Sequence, residues 1–138
     1  SNMMRNLAVL LALAIPLAAE MSADDVKAKV KEGAQHFRAA MAASDQGAKG
    51  EALGKMNEAL TAAAGEAAQD AAAASQADAE AGGIDSAEEK ALFYFFVCDA
   101  YCQVDRWQPA LGFINKALGL SKKPKYEEKK KEIEEKLK

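Results

Sequence analysis

The stretch ALFYFFVCDAYCQVDRWQPALGFINKALGLSKKP, residues 91–124, decides the fold. Its first half is an aromatic-rich helix, and its second half, from Trp107 to Leu120, is a helix of small and aliphatic residues. A tight turn through Asp105 and Arg106 joins them. Small side chains let two helices approach closely, and aromatic rings from each fill the space left between them. The expected unit is therefore an antiparallel helical hairpin.

The order of large and small residues is more specific than that. Tyr94, Val97, Cys98 and Tyr101 mark the first helix, Trp107 closes the turn, and Ala110, Ile114, Ala117 and Leu118 mark the second. In this order they resemble a tetratricopeptide repeat, a helix–turn–helix unit of about 34 residues. Two positions depart from the family pattern. Cys98 stands where Gly or Ala is usual, and the closing proline, Pro124, comes slightly late. The same residues also suit a generic hairpin with Tyr and Trp in its core.

An earlier run echoes this unit. Ala52-Leu53-Gly54-Lys55-Met56-Asn57-Glu58-Ala59-Leu60 repeats the Ala, Leu, Gly, Asn, Ala and Leu of Ala110–Leu118. Ahead of it, Val30, Ala34 and Phe37 take the parts of Tyr94, Cys98 and Tyr101. Residues 26–60 thus read as a second, degenerate repeat, with a connecting loop several residues longer, an insertion that surface loops tolerate cheaply. Chance recurrence in Ala-rich helices is the competing explanation.

The remaining segments follow from composition and punctuation. At 138 residues the chain has enough length for one small domain. Abundant alanine and scarce β-branched residues make it all-α. Ser22 to Asp25 caps a helix whose apolar stripe is Val26, Val30, Ala34, Phe37 and Met41. The chain breaks at Ser44-Asp45-Gln46-Gly47, and a new helix opens near Ala52. From Leu60 that helix is expected to run on as an Ala-rich arm over 61–81, long and close-packed or partly frayed, because alanine buries little surface. Gly82-Gly83 should end it in a left-handed cap. Ser86-Ala87-Glu88-Glu89 forms a capping box for the hairpin over 86–121. Pro124 then opens a last helix, 124–138, with Tyr126, Ile133 and Leu137 as its apolar stripe and Glu–Lys pairs elsewhere. A helix that is polar on one face suits the end of a repeat array, so 124–138 reads as a capping helix.

The N-terminus has a different character. Ser1 and Asn2 read as a cloning remnant ahead of Met3-Met4. Arg5, the apolar run Leu7–Ile15 and the small-residue exit Pro16-Leu17-Ala18-Ala19 describe a secretory signal peptide. The run is too short to span a bilayer comfortably. The expected mature protein is a single domain, 20–138, exported to the periplasm or secreted, with no stable membrane span. The alternative is a helix whose apolar surface is buried in the domain or against a neighbouring molecule.

Little in the chain points to catalysis. The single histidine, His36, has no nucleophile signature around it, and a haem held by His36 with Met41 or Met56 lacks any C-x-x-C-H attachment motif. Cys98 and Cys102 are four apart on one helix, poorly aimed for a disulfide and too small a set for structural zinc. Asp24-Asp25 and Glu88-Glu89 sit at helix starts, where the macrodipole accounts for them. The net charge of -3, with lysines exceeding glutamates from Lys122 onward, describes a solvated terminal helix rather than a nucleic-acid footprint. The reading is a non-catalytic protein without metal or cofactor.

What the repeat resemblance implies is an interaction scaffold. Such arrays take peptides or partner helices on the face built from their first helices. Carried over by position, that groove would use Leu92, Phe95, Asp99, Cys102 and Gln103, with Lys31, Gln35 and Arg38 from the degenerate copy. The family's chaperone-binding type places a Lys and an Asn where this chain has Phe95 and Asp99, so carboxylate clamping is not expected. An aromatic groove of mixed charge suits a hydrophobic helix or strand. Arrays generally need three or more repeats, so two predict a homodimer or larger complex. The competing reading is an exported bundle holding a small apolar ligand or lipid among Phe93, Phe95 and Phe96. N-terminal sequencing of the protein from its native host is expected to begin at Glu20; an intact Met4 end would defeat the export reading.

Overall fold

The computed structural model describes residues 20–138; the proposed signal segment lies outside them. Six α-helices follow one another: α1 (Ala23–Ala42), α2 (Gln46–Ala64), α3 (Asp70–Gly82), α4 (Ala87–Gln103), α5 (Trp107–Leu120) and α6 (Pro124–Lys136), with a 3-10 turn at Ala67–Gln69. The fold is all-α, and no strand occurs among the described residues. Capping sets three of the starts. Side-chain oxygens of Ser22, Asp45 and Ser86 accept from the backbone N–H groups of Asp25, Gly47 and Glu89. Pro124 opens α6, where its missing N–H costs nothing.

Two antiparallel hairpins, α1–α2 and α4–α5, form the body. In the first, Val26, Val30, Gly33, Ala34, Phe37 and Ala40 face Met56, Ala59, Leu60, Ala63 and Ala64. In the second, Tyr94, Val97, Cys98 and Tyr101 face Ala110, Phe113, Ile114 and Ala117. Phe37 then joins the two hairpins. Its ring meets Phe93 edge-on at 5.5 Å and Phe96 at 6.0 Å, the arrangement that the ring quadrupoles favour.

Five expectations change. The hairpin loops do not differ in length: residues 43–45 and 104–106 each supply three. The extra residues of the first copy lie in the helices, each of which extends about one turn further at the hairpin tip. Accordingly α2 starts at Gln46 rather than near Ala52. The Ala-rich arm is also not one helix. It stops at Gly65, passes through the 3-10 turn and restarts as α3, which buries Ala73, Ala77 and Ala81 and packs on α1. Gly83 does not adopt a left-handed cap; its φ is -88°, and a Cβ there would lie 3.1 Å from Arg38 Nη2, so the glycine makes room for that side chain. The left-handed residue is Asp105 (φ 58°) in the α4–α5 turn, a conformation aspartate tolerates. Lastly, Leu137 leaves the α6 stripe and is 40% exposed, while Tyr126 and Ile133 are fully buried.

Glycines in this fold do different work. A Cβ on Gly33 would stand 2.6 Å from Leu60 Cδ2 and 2.8 Å from its Cγ, so α1 and α2 touch through Gly33. Gly54 and Gly112, which match in the two similar runs of sequence, have nothing within 4 Å of such a Cβ. Gly33→Val is expected to cost about 2 kcal/mol through overpacking. Gly54→Ala should instead stabilise by about 0.5–1 kcal/mol through helix propensity. Urea midpoints of both variants check the pair, and a neutral Gly33→Val would remove the close approach.

Candidate functional site

Two surfaces stand out, one expected from sequence and one not. The expected surface is the outward side of α4. Ser86 caps the start of this helix, and the helical period brings Leu92, Phe95, Asp99 and Cys102 into one row. All four are half-buried. α6 accounts for much of this cover. Tyr126 packs on Phe95 with ring centroids 5.2 Å apart, Lys125 and Lys129 place ammonium groups 5.2 and 5.9 Å from the same ring, and Lys129 pairs with Asp99 at 3.3 Å. A cation over an aromatic face and beside a carboxylate gains from both fields.

The other expected residues go elsewhere. Gln103 faces the α2–α4 seam, where its amide donates to Asn57 Oδ1 at 2.7 Å and accepts from Asn57 Nδ2 at 3.1 Å. It also donates to Asp99. Lys31 and Gln35 are exposed on α1. Arg38 turns to α3, donating to the Glu80 carboxylate at 3.0 Å and the Glu80 carbonyl at 3.1 Å. The contacts therefore assemble the α4 residues with α6, and tie the α1 residue Arg38 to α3. The cause is α3 itself, which packs against α1.

Cys98 is fully buried and Cys102 half-buried, both as free thiols. A hydrogen bond from Cys98 favours the Cys102 thiolate, burial opposes it, and the nearby Lys129 ammonium adds to the favourable side. Of the two thiols, Cys102 ionises first. Of the phenylalanines expected to hold a small ligand, Phe93 is 0% exposed, and Phe95 and Phe96 pack against each other at 6.0 Å.

The second surface is a cleft of about 540 Å³ between α3 and α5. Tyr101 and Phe113, stacked 5.3 Å apart, form its floor, and Ala71, Ala74, Pro109 and Gly112 its walls. Its volume lies in the range of small-molecule sites. At one end Arg106 donates to both Asp70 carboxylate oxygens and to the Ala64 carbonyl at 3.0 Å. At the other, Lys116 pairs with Asp78 at 2.7 Å, and Asp78 also accepts from the Tyr94 hydroxyl at 2.7 Å. The buried Tyr101 hydroxyl has no hydrogen-bond partner; burial and the Asp70 charge push its pKa up to about 12, against the pull of Arg106. Nothing in the sequence marks this cleft except the turn residue Arg106, because α3 has to fold back before it exists.

Among the described residues, no three His, Cys, Asp or Glu side chains converge as a metal site, and no helix is long and apolar enough to cross a membrane. No protein-family model, curated protein or solved structure matches the chain.

Asp78 makes a pH test available. Burial raises its pKa, but hydrogen bonds from Lys116 and Tyr94 and the charge of Lys116 outweigh it, leaving the carboxyl below its usual 3.8. A carboxyl depressed in the folded state adds stability above the unfolded value and loses it as pH falls through the folded one. Asp78→Asn is expected to cost about 0.5 kcal/mol at pH 7, since the pair is half exposed. The difference should shrink as the pH falls below 3.8 and through the lowered folded value. Thermal melts at pH 7 and in acid measure it, and a cost unchanged in acid would rule out this account.

Proposed function

We propose that this chain is a non-catalytic, tetratricopeptide-like scaffold whose α4 face takes an amphipathic helix from a protein partner. The observation that carries the reading is that a helix already rests there. α6 places an aromatic ring on Phe95 and an ammonium on Asp99, the two contacts a partner helix would make. Helix-in-groove recognition reads side chains at such helical spacings. Leu92, Phe95, Asp99 and Cys102 belong to this face; Gln103 bonds Asp99 at its edge, Lys31 and Gln35 are exposed on α1, and Arg38 is engaged with α3. Export, by cleavage of the N-terminal apolar segment, places the scaffold and its partner in the periplasm or medium.

One observation favours a second reading. The α3–α5 cleft has the volume and apolar floor of a small-ligand site, so an exported bundle holding an apolar molecule at Tyr101 and Phe113 is the alternative. A single capture experiment from native periplasm or culture medium separates them. Phe95→Ala and Asp99→Asn are expected to weaken partner capture about tenfold each, a loss of about 1.4 kcal/mol, with circular dichroism unchanged. Gly112→Phe fills the cleft over Tyr101, where nothing lies within 4 Å of an added Cβ, and should leave capture intact because Phe95 and Asp99 do not line the cleft. Loss of a co-purifying small molecule in Gly112→Phe alone would select the second reading, and protein capture indifferent to Phe95 and Asp99 would sink the first.

A further inference from the structure

The same face carries a consequence for α6, resting on the helix-binding reading just given. α6 is weakly seated compared with its neighbours. It fully buries only Tyr126 and Ile133, whereas α5 buries Ala110, Phe113, Ile114 and Ala117. Beyond those two it holds on by its lysines, with Lys125 and Lys129 over Phe95, Lys129 paired to Asp99 and Lys136 over Trp107, while the pair that Lys123 makes just ahead of it with the 69% exposed Glu88 side chain holds little.

One of its two anchors is also flawed. The Tyr126 hydroxyl is buried without a hydrogen-bond partner, so the seat accepts the ring but penalises the oxygen. Residues 121–123, which join α6 to α5, have extended backbone at both ends, with Ser121 at φ -157° and Lys123 at φ -96°. The two exposed large apolar side chains among the described residues, Leu120 and Leu137, bracket α6. A helix held by few buried contacts opens at lower free energy than the body it covers. What its departure uncovers is Phe95 with Asp99 beside it.

We infer that α6 is an exchangeable occupant of the seat that the α4 face forms beside α5, replaced by a partner helix carrying an aromatic, a cationic and an aliphatic residue at the spacing of Tyr126, Lys129 and Ile133. The occupant in cis defines the chemistry of the one in trans. A phenylalanine at the Tyr126 position keeps the ring contact with Phe95 and leaves no orphaned hydroxyl. A partner helix with Phe there therefore has the advantage over α6, and Tyr126→Phe in the chain itself removes that advantage.

Hydrogen exchange on the full chain, followed by titration with a labelled synthetic peptide of residues 121–138 carrying Tyr126→Phe, tests the proposal. Amides of α6 should exchange at least about tenfold faster than those of α4 and α5. Tyr126→Phe in the chain should slow α6 alone. The peptide should bind the native chain saturably, bind the Tyr126→Phe chain more weakly, and fail to bind Phe95→Ala. Protection of α6 equal to that of α5 overturns the exchange while leaving the helix-binding reading in place. Fast α6 exchange with no peptide binding overturns both.

Discussion

Everything in this molecule depends on Phe37. Each hairpin can be built from contacts close in sequence, because its two helices are joined by three residues. Local hairpins alone make no domain. Phe37, 0% exposed, sets its ring against Phe93 and Phe96 and so closes the gap between two units that are otherwise separate in the chain. Removing a buried phenylalanine costs about 3–5 kcal/mol in typical cores, a large part of the whole stability of a small domain. The small residues around it matter for the same reason. Gly33 lets α1 and α2 touch, since a Cβ there would stand 2.6 Å from Leu60 Cδ2.

α3 supplies the second constraint. Its alanines bury little area, so polar side chains at its ends and middle contribute much of its attachment. Asp70 is gripped by Arg106, which also reaches the Ala64 carbonyl at the end of α2. Asp78 receives both Tyr94 and Lys116, and Glu80 receives Arg38. These contacts link α3 to α1, α4 and α5. They draw Arg38 away from the α4 face and create the cleft over Tyr101 and Phe113.

The character of the α4 face follows from this arrangement. With α1 tied to α3, the helix that reaches Phe95 and Asp99 is α6, which returns antiparallel to α5 after Pro124. Its lysines serve two purposes there. Lys129 neutralises Asp99, and Lys125 covers the ring of Phe95 while its ammonium stays in water. The face is therefore neither a bare groove nor a sealed core. It is a seat that α6 covers.

The sequence by itself determined the helices, most of their starts and much of the core. Ser22, Ser86 and Pro124 announce their helices because capping is local, and the stripe Val26, Val30, Ala34 and Phe37 is buried because a period of 3.6 depends only on the helix. The rest was decided in three dimensions. Whether Leu60 to Ala81 is one helix or two turned on packing, since alanine favours helix on either side of Gly65 and carries no pattern that points inward. Gln103 and Arg38 read as groove residues from their positions on a repeat, yet their partners, Asn57 and Glu80, lie more than 40 residues away. Long polar side chains take whichever partner the fold brings near. That choice belongs to contacts between distant elements, which no local pattern encodes.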